Sequence, residues 1–308
     1  MTWTAAQMPR LGGRVAVVTG GNSGLGRATA TELSRHGARV MLACRDIERG
    51  KQAADDIRSR VPDADIEVRH IDLADMTSVR EFGEGYDGPL HLLVNNAGVM
   101  GPPRRQVTAH DFELQFGTNH LGHFVLTGLL LPALLVADDP RVVTVSSVAH
   151  HGGTADVLDG NAVGPYRPQR AYANSKLANL LFAFELQRRA WAHGLPLTST
   201  AAHPGFSATG LVADPEGAGA NRLVRAVLPP LVTAFTQSAA TGARAILFAA
   251  TEAEPGSFTG PQRLHETRGP IGAAEASVLA RDETLARQLW RVSEELTGFR
   301  YRWSGHHR

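Results

Sequence analysis

Short apolar, β-branched runs alternate with longer segments of helical period along most of the 308-residue chain. The runs RVAVVT (14 to 19), ARVMLA (38 to 43), IEVRHI (66 to 71), LHLLVN (90 to 95), RVVTVS (141 to 146) and LPLTSTAA (195 to 202) are predicted as strands. Between them, segments such as GLGRATATELSRHG and YANSKLANLLFAFELQRRAWA carry the period of a helix. Strands that are apolar on both faces leave no side for water, so helices must cover each side of a mainly parallel sheet. That is an α/β, doubly wound architecture. No repeat or low-complexity linker divides the sequence, and one domain over residues 1–308 is expected. Near the C-terminus, DETLARQLWRVSEELTG sets Leu285, Leu289, Val292 and Leu296 on one helical stripe, with Gly298 as the stop signal. The tail FRYRWSGHHR is basic and aromatic, is expected to fray, and is given no role.

Composition narrows the class of ligand. A net charge of +1 from 31 basic and 30 acidic residues provides no broad basic face, which excludes nucleic acid as the main partner and favours small molecules. The longest apolar run, LLLPALLV from Leu129 to Val136, is shorter than the ~20 residues a bilayer requires and contains Pro132, so it reads as a buried helix end and no membrane span is expected. The N-terminal MTWTAAQMPRLGG lacks a basic segment followed by an apolar run, and no signal peptide is expected. The single cysteine, Cys44, cannot form an internal disulfide and fits a reducing, cytoplasmic location.

The first strand runs into TGGNSGLG, Thr19 to Gly26. A glycine-rich strand-to-helix turn lets backbone N–H groups approach a pyrophosphate while the helix N-terminus supplies partial positive charge. Gly20, Gly24 and Gly26 are the close-approach positions, with Asn22, Ser23 and Leu25 between them. A tight structural turn has the same composition, but this one sits where a dinucleotide site requires it. The second strand ends in ACRD, where such a site meets the adenosine ribose. An acidic residue there accepts from the 2′-hydroxyl, whereas arginine suits a 2′-phosphate. Arg45 thus points to NADP, while the adjacent Asp46 keeps NAD open. In YANSK, Tyr172 and Lys176 lie four residues apart and share one helix face.

These motifs resemble the short-chain dehydrogenase/reductase family, which has a Rossmann-type doubly wound sheet. The glycine turn, NNAG (95 to 98), Asn119 in TNHLGHF, VSS ending at Ser147, YANSK and HPG (203 to 205) occur in the family's order, spanning about residues 14 to 209. Within it, ACRD, VSSVAHH, SKLANLLF and SEELTG look most like the retinol dehydrogenase and protochlorophyllide reductase-like branch. The resemblance implies that Tyr172 is the general acid or base, that Lys176 favours the phenolate and holds the nicotinamide ribose, that Ser147 orients the substrate oxygen, and that Asn119 holds a water of a proton relay. Lowering a tyrosine pKa from about 10 by about three units takes roughly 4 kcal/mol of differential stabilisation. It also implies cofactor contacts from Asp72 and Leu73 in HIDLAD, from Asn95, Ala97 and Gly98 in NNAG, and from Pro204, Gly205 and Thr209 in HPGFSAT, the segment that packs on the nicotinamide in that family.

The activity so implied is NADP-preferring hydride transfer, with NADPH as the reduced cofactor, to or from an apolar carbonyl or alcohol substrate. Reduction of an activated C=C bond and a non-catalytic NADP-binding redox sensor are the alternatives. Serine and tyrosine stand twenty-five positions apart, about twice the spacing in many members. The Gly- and Pro-rich segment between them, 148–171, is expected to be a loop at the active site and to influence homo-oligomer packing. Residues 210–235 are expected to form a substrate lid. His150 and His151 lack partners with metal-ligand spacing, so no metal is expected; His120 and His123 read as structural, and His203 as bordering the substrate pocket.

Overall fold

The computed structural model describes residues 3–161, 165–205 and 237–303; Thr209, the lid segment 210–235 and part of the 148–171 segment lie outside the described residues. Eight strands form one sheet: β1 Val15–Thr19, β2 Arg39–Cys44, β3 Ile66–His70, β4 Leu92–Asn95, β5 Arg141–Val145, β6 Thr198–Ala202, β7 Phe258–Arg263 and β8 Arg268–Ala273. Their spatial order is β3-β2-β1-β4-β5-β6-β7-β8. All neighbours run parallel except β7 and β8. Because β2 and β3 lie on one side of β1 and β4 on the other, the chain reverses direction across the sheet at the C-terminal ends of β1 and β4. Open α/β sheets bind ligands in the crevice at such a point.

Alternate residues of each strand feed two cores. Val17 joins one, with Leu93 and Val142; Ala16 and Val18 join the other, with Val94 and Val143. Helices α1 Gly24–Arg35, α2 Ile47–Arg60 and α6 Ala239–Thr251 cover the second core. The first is covered by α3 Met76–Glu84, α4 Leu114–Leu135, α5 Pro168–Ala192 and α7 Glu283–Thr297. Helix α4 is long and apolar enough to cross a membrane by length and composition alone, but Phe124, Val125, Leu126, Leu130, Leu131 and Leu134 fill the core, and Pro132 lies on the exposed side of its last turn. Pro168 opens α5, where its missing N–H costs nothing.

All six predicted strands are present, the fourth and sixth beginning later, at Leu92 and Thr198. The hairpin β7–β8 is not predicted by pattern, because FTGPQR and RGPIGA carry Gly and Pro and little β-branched alternation. In α7, Leu285 and Leu289 are buried as expected, but Trp290 and Ser293 complete the inner face while Val292 and Leu296 are only half-buried. Gly298 adopts the left-handed C-cap, φ 62°. The tail departs from expectation. Tyr301 is buried, donates its hydroxyl to the Phe124 carbonyl at 2.6 Å, and packs against Trp290 and Trp303 at 4.6 and 5.3 Å between ring centroids. Phe299 lies over Gly128, where a Cβ would come within 2.2 Å of the ring. Apolar aromatic area, not chain position, decides that this segment docks.

Candidate active site

The turn after β1 uses glycine for two reasons. Gly20 and Gly24 have left-handed backbone, φ 64° and 50°, which other residues adopt at a cost. At Gly26 the restriction is space: a Cβ would stand 2.3 Å from the Gly20 carbonyl and 2.7 Å from the Asn96 amide. Asn22 is half-buried, Ser23 exposed, and Leu25 buried in the core beneath. The Ser23 side chain makes no capping bond to α1, so the first-turn amides keep their capacity for an anion. A narrow cradle that opens a helix and is bare of side chains at Gly20, Gly24 and Gly26 fits the diphosphate of a dinucleotide.

Arg45 is exposed just beyond β2. Asp46 is the N-cap of α2, and its carboxylate accepts from the Arg49 N–H at 3.0 Å. That local bond gives the aspartate a structural task beside Arg45. At the end of β3, the Asp72 side chain accepts from Ala74 N–H at 2.9 Å, closing a turn. Leu73 is buried in the core, with both its carbonyl and its side chain against Gly122 of α4.

In NNAG the two asparagines part company. Asn95 is fully buried and donates to Thr127 Oγ1 at 2.9 Å inside the core. Asn96, which sequence reasoning passed over, donates to the Thr19 carbonyl at 2.8 Å and borders both Gly20 and Gly26. Strand alternation carries the signal: of two successive residues, one must face the turn. Thr19 Oγ1 accepts from Asn96 and Ala97 N–H at 2.9 and 3.0 Å and lies 2.9 Å from His123 Nε2. His123 Nδ1 donates to the Asn119 carbonyl at 3.0 Å, which leaves Nε2 as the acceptor for the threonine proton. Burial holds this imidazole well down, at about 4, and so neutral.

Asn119 sits in a wide π turn, Gly117–Leu121, within α4. Its amide donates to the Val99 carbonyl and to Ser175 Oγ, at 3.0 and 2.9 Å, and its oxygen accepts from Val99 N–H at 2.7 Å. The same residue therefore braces the NNAG segment and α5. Gly98 lies between Asn119 and Lys176: its Cβ would stand 3.1 Å from Asn119 Oδ1 and 3.5 Å from Lys176 Nζ.

Helix α5 delivers Tyr172 and Lys176 on one face, with Lys176 Nζ 5.7 Å from the centre of the phenol ring. Ser147, just beyond β5, accepts from Ala149 N–H at 3.2 Å, and its hydroxyl stands near enough to the Tyr172 phenol to favour the phenolate. Burial outweighs it and pushes the phenol up to about 12. Lys176 is buried, donates to the Val145 carbonyl at 3.3 Å, and is lowered by burial to about 8. The expected lowering of the phenol by the ammonium is thus not found. Among the chain's own groups, desolvation dominates both residues and favours the neutral phenol.

The described part of 148–171 is a docked segment rather than an open loop. It forms two 3-10 turns, Val148–Gly152 and Ala155–Asp159. Val157 is fully buried, Asn161 Oδ1 accepts from Glu113 N–H at 2.7 Å, and the Tyr166 hydroxyl donates to Glu113 Oε1 at 3.2 Å. His150 is held between the Ser147 carbonyl, to which Nδ1 donates at 2.7 Å, and Ser277 N–H at 3.1 Å. Beyond β6, Pro204 and Gly205 turn beside His203, the glycine at φ 68°.

A parallel sheet with this crossover, a glycine cradle at its switch point and a Ser, Tyr and Lys cluster beside it define a nucleotide-dependent oxidoreductase. Residues 14–216 match the family "short chain dehydrogenase", and the chain belongs to that family. Human retinol dehydrogenase 12 is 40% identical over 97% of this chain and 90% of its own length. Mouse polyprenol dehydrogenase is 40% identical over 94% and 86%. A crystal structure of an uncharacterized protein from Mycobacterium paratuberculosis, 43% identical, covers 98% of this chain and 100% of its own at a TM-score of 0.81. The protein is an NAD(P)-dependent oxidoreductase acting on alcohol or carbonyl groups.

Proposed function

We propose that the protein transfers hydride between NADP(H) and an apolar aldehyde, ketone or alcohol, with Tyr172 as the proton donor or acceptor. The observation that carries this reading is the convergence of Asn119, Ser147, Tyr172 and Lys176 from three separate elements on the crevice that the glycine cradle opens. The dinucleotide, when bound, supplies the hydride chemistry. Gly20, Gly24, Gly26 and the start of α1 receive its diphosphate; Arg45 meets the 2′-phosphate; Asp72, the NNAG segment and the Pro204–Gly205 turn line its path, with Thr209 beyond the described residues.

A phenol held protonated up to about 12 carries a proton at neutral pH, as reduction of a carbonyl requires. Ser147 orients the substrate oxygen toward that proton, and Asn119 holds the relay side of the lysine in place. Retinol and polyprenol, the substrates in two relatives' names, are both apolar isoprenoid alcohols, which supports an apolar substrate here.

The test is NADPH oxidation against a panel of apolar aldehydes and ketones. Tyr172→Phe is expected to remove turnover, by at least about a hundredfold for loss of a general acid, while binding NADPH normally; comparable kcat in that variant would end the mechanism. Arg45→Ala is expected to weaken NADPH about tenfold or more and NADH little, since a charged hydrogen bond is lost only with the former. Equal losses for both would refute the phosphate role. Tight NADPH binding without turnover across carbonyls, alcohols and enones would favour the sensor.

A further inference from the structure

We propose that His203 and Glu266 form a carboxylate–histidine latch that fixes the Pro204–Gly205 turn, and with it the nicotinamide end of the cofactor site; the inference rests on the dinucleotide reading above. His203 follows β6 and is fully buried. Its Nδ1 accepts from Gly205 N–H at 3.2 Å. A backbone N–H only donates, so the ring proton must sit on Nε2, which faces Glu266 Oε2 at 3.1 Å and donates to it. The tautomer is therefore set from both ends, by the residue two positions on and by a carboxylate 63 positions on.

Glu266 is held as firmly as the histidine. Its second oxygen accepts from Glu275 N–H at 2.7 Å, so one carboxylate ties the end of β6 to the strand exit after β8. It reaches this position from the β7–β8 turn, in which Leu264, His265 and Glu266 all have left-handed backbone, φ 52°, 53° and 58°. Three successive side-chain-bearing residues in that region persist only where surrounding contacts over-determine them, and such strain concentrates at functional sites.

The same turn rests directly on the cofactor-side glycine. A Cβ on Gly205 would stand 2.4 Å from the Thr267 carbonyl, which also accepts from the Gln237 side-chain amide. Gly260 makes room for the imidazole, since a Cβ there would meet His203 Nε2 at 2.0 Å, and the Phe258 ring packs 5.2 Å from it. Turn, carboxylate and imidazole thus form one connected support that carries the Pro204–Gly205 backbone. Neither residue touches reacting atoms; both are positioning residues.

The test compares binding of NADPH with binding of 2′,5′-ADP, which lacks the nicotinamide, in the intact protein. Glu266→Ala is expected to weaken NADPH about tenfold, the scale of a lost charged hydrogen bond, and to raise its KM to match, with kcat at saturating NADPH nearly unchanged. Affinity for 2′,5′-ADP should stay at the wild-type value. Glu266→Gln, which keeps one acceptor, should restore most of the loss and remains informative if the alanine variant folds poorly. The double variant with His203→Phe should lose no more than the single ones, because the two act through each other. NADPH and 2′,5′-ADP weakening equally, or neither changing while melting temperature falls, would overturn the latch and leave the dinucleotide reading standing. A wild-type protein that binds neither ligand would overturn both.

Discussion

Two turns at the carboxyl end of the sheet use left-handed backbone, and they are built in opposite ways. The turn after β1 uses glycine at each such position, Gly20 and Gly24, and adds Gly26 where no side chain fits. The β7–β8 turn instead places Leu264, His265 and Glu266 there, with no glycine among them. The first turn is unstrained and its backbone is bare, suiting direct contact with a ligand. The second is strained, and its useful element is a side chain, Glu266, aimed inward. Glycine serves where the backbone does the binding; a carboxylate is worth its conformational cost where a side chain does the holding.

Gly26→Ala should produce the largest effect on this contrast. Overpacking costs about 1–3 kcal/mol, and where the cradle bears that cost NADPH affinity measured by cofactor fluorescence should fall about five- to 150-fold. Unchanged affinity would mean that the cradle is not the diphosphate site.

Lowering the pH should have the next largest effect. Burial holds His120 at about 3, His123 at about 4, His150 at about 4 and His203 at about 3. Between the ordinary imidazole value near 6.5 and about 4, the unfolded chain binds more protons than the folded one, so stability is lost as pH falls through that window. Urea midpoints should drop from pH 7 to pH 5. His150→Gln, which keeps one donor and one acceptor, should make the slope shallower; a midpoint independent of pH would contradict the burial of neutral rings. The smallest effect belongs to the hairpin. Leu264 and His265 are exposed, so Leu264→Gly or His265→Gly removes little packing and should raise stability by up to about 1 kcal/mol by denaturant titration. A lower midpoint in both would show that the turn is not strained.

What could be read from sequence follows the same division. The six parallel strands and the glycine turn are legible, because burial on both faces and local composition leave marks within a few residues, whereas Ser147 and Asn119 stand out only through the family resemblance. In sequence Asp46 keeps NAD open as a ribose acceptor; that it caps α2 is seen only in its bond from Arg49 N–H. The balance between Tyr172 and Lys176 is not legible in sequence, because spacing shows that two groups are neighbours but not how far each is removed from water. The Glu266–His203 contact, the docking of Tyr301 and the β7–β8 pairing link distant parts of the chain and leave no periodic trace.

The π turn at Gly117–Leu121 has an evolutionary consequence. Each residue of an α-helix turns the chain by about 100°, so losing a single residue there and restoring regular geometry would swing everything before the turn to another face of the helix. Glu113 and Gln115, which anchor Tyr166 and Gly101, would leave their partners. Gaps in an alignment of descendants should therefore avoid this stretch even where point substitutions are accepted, and collect instead in exposed connections such as 61–65.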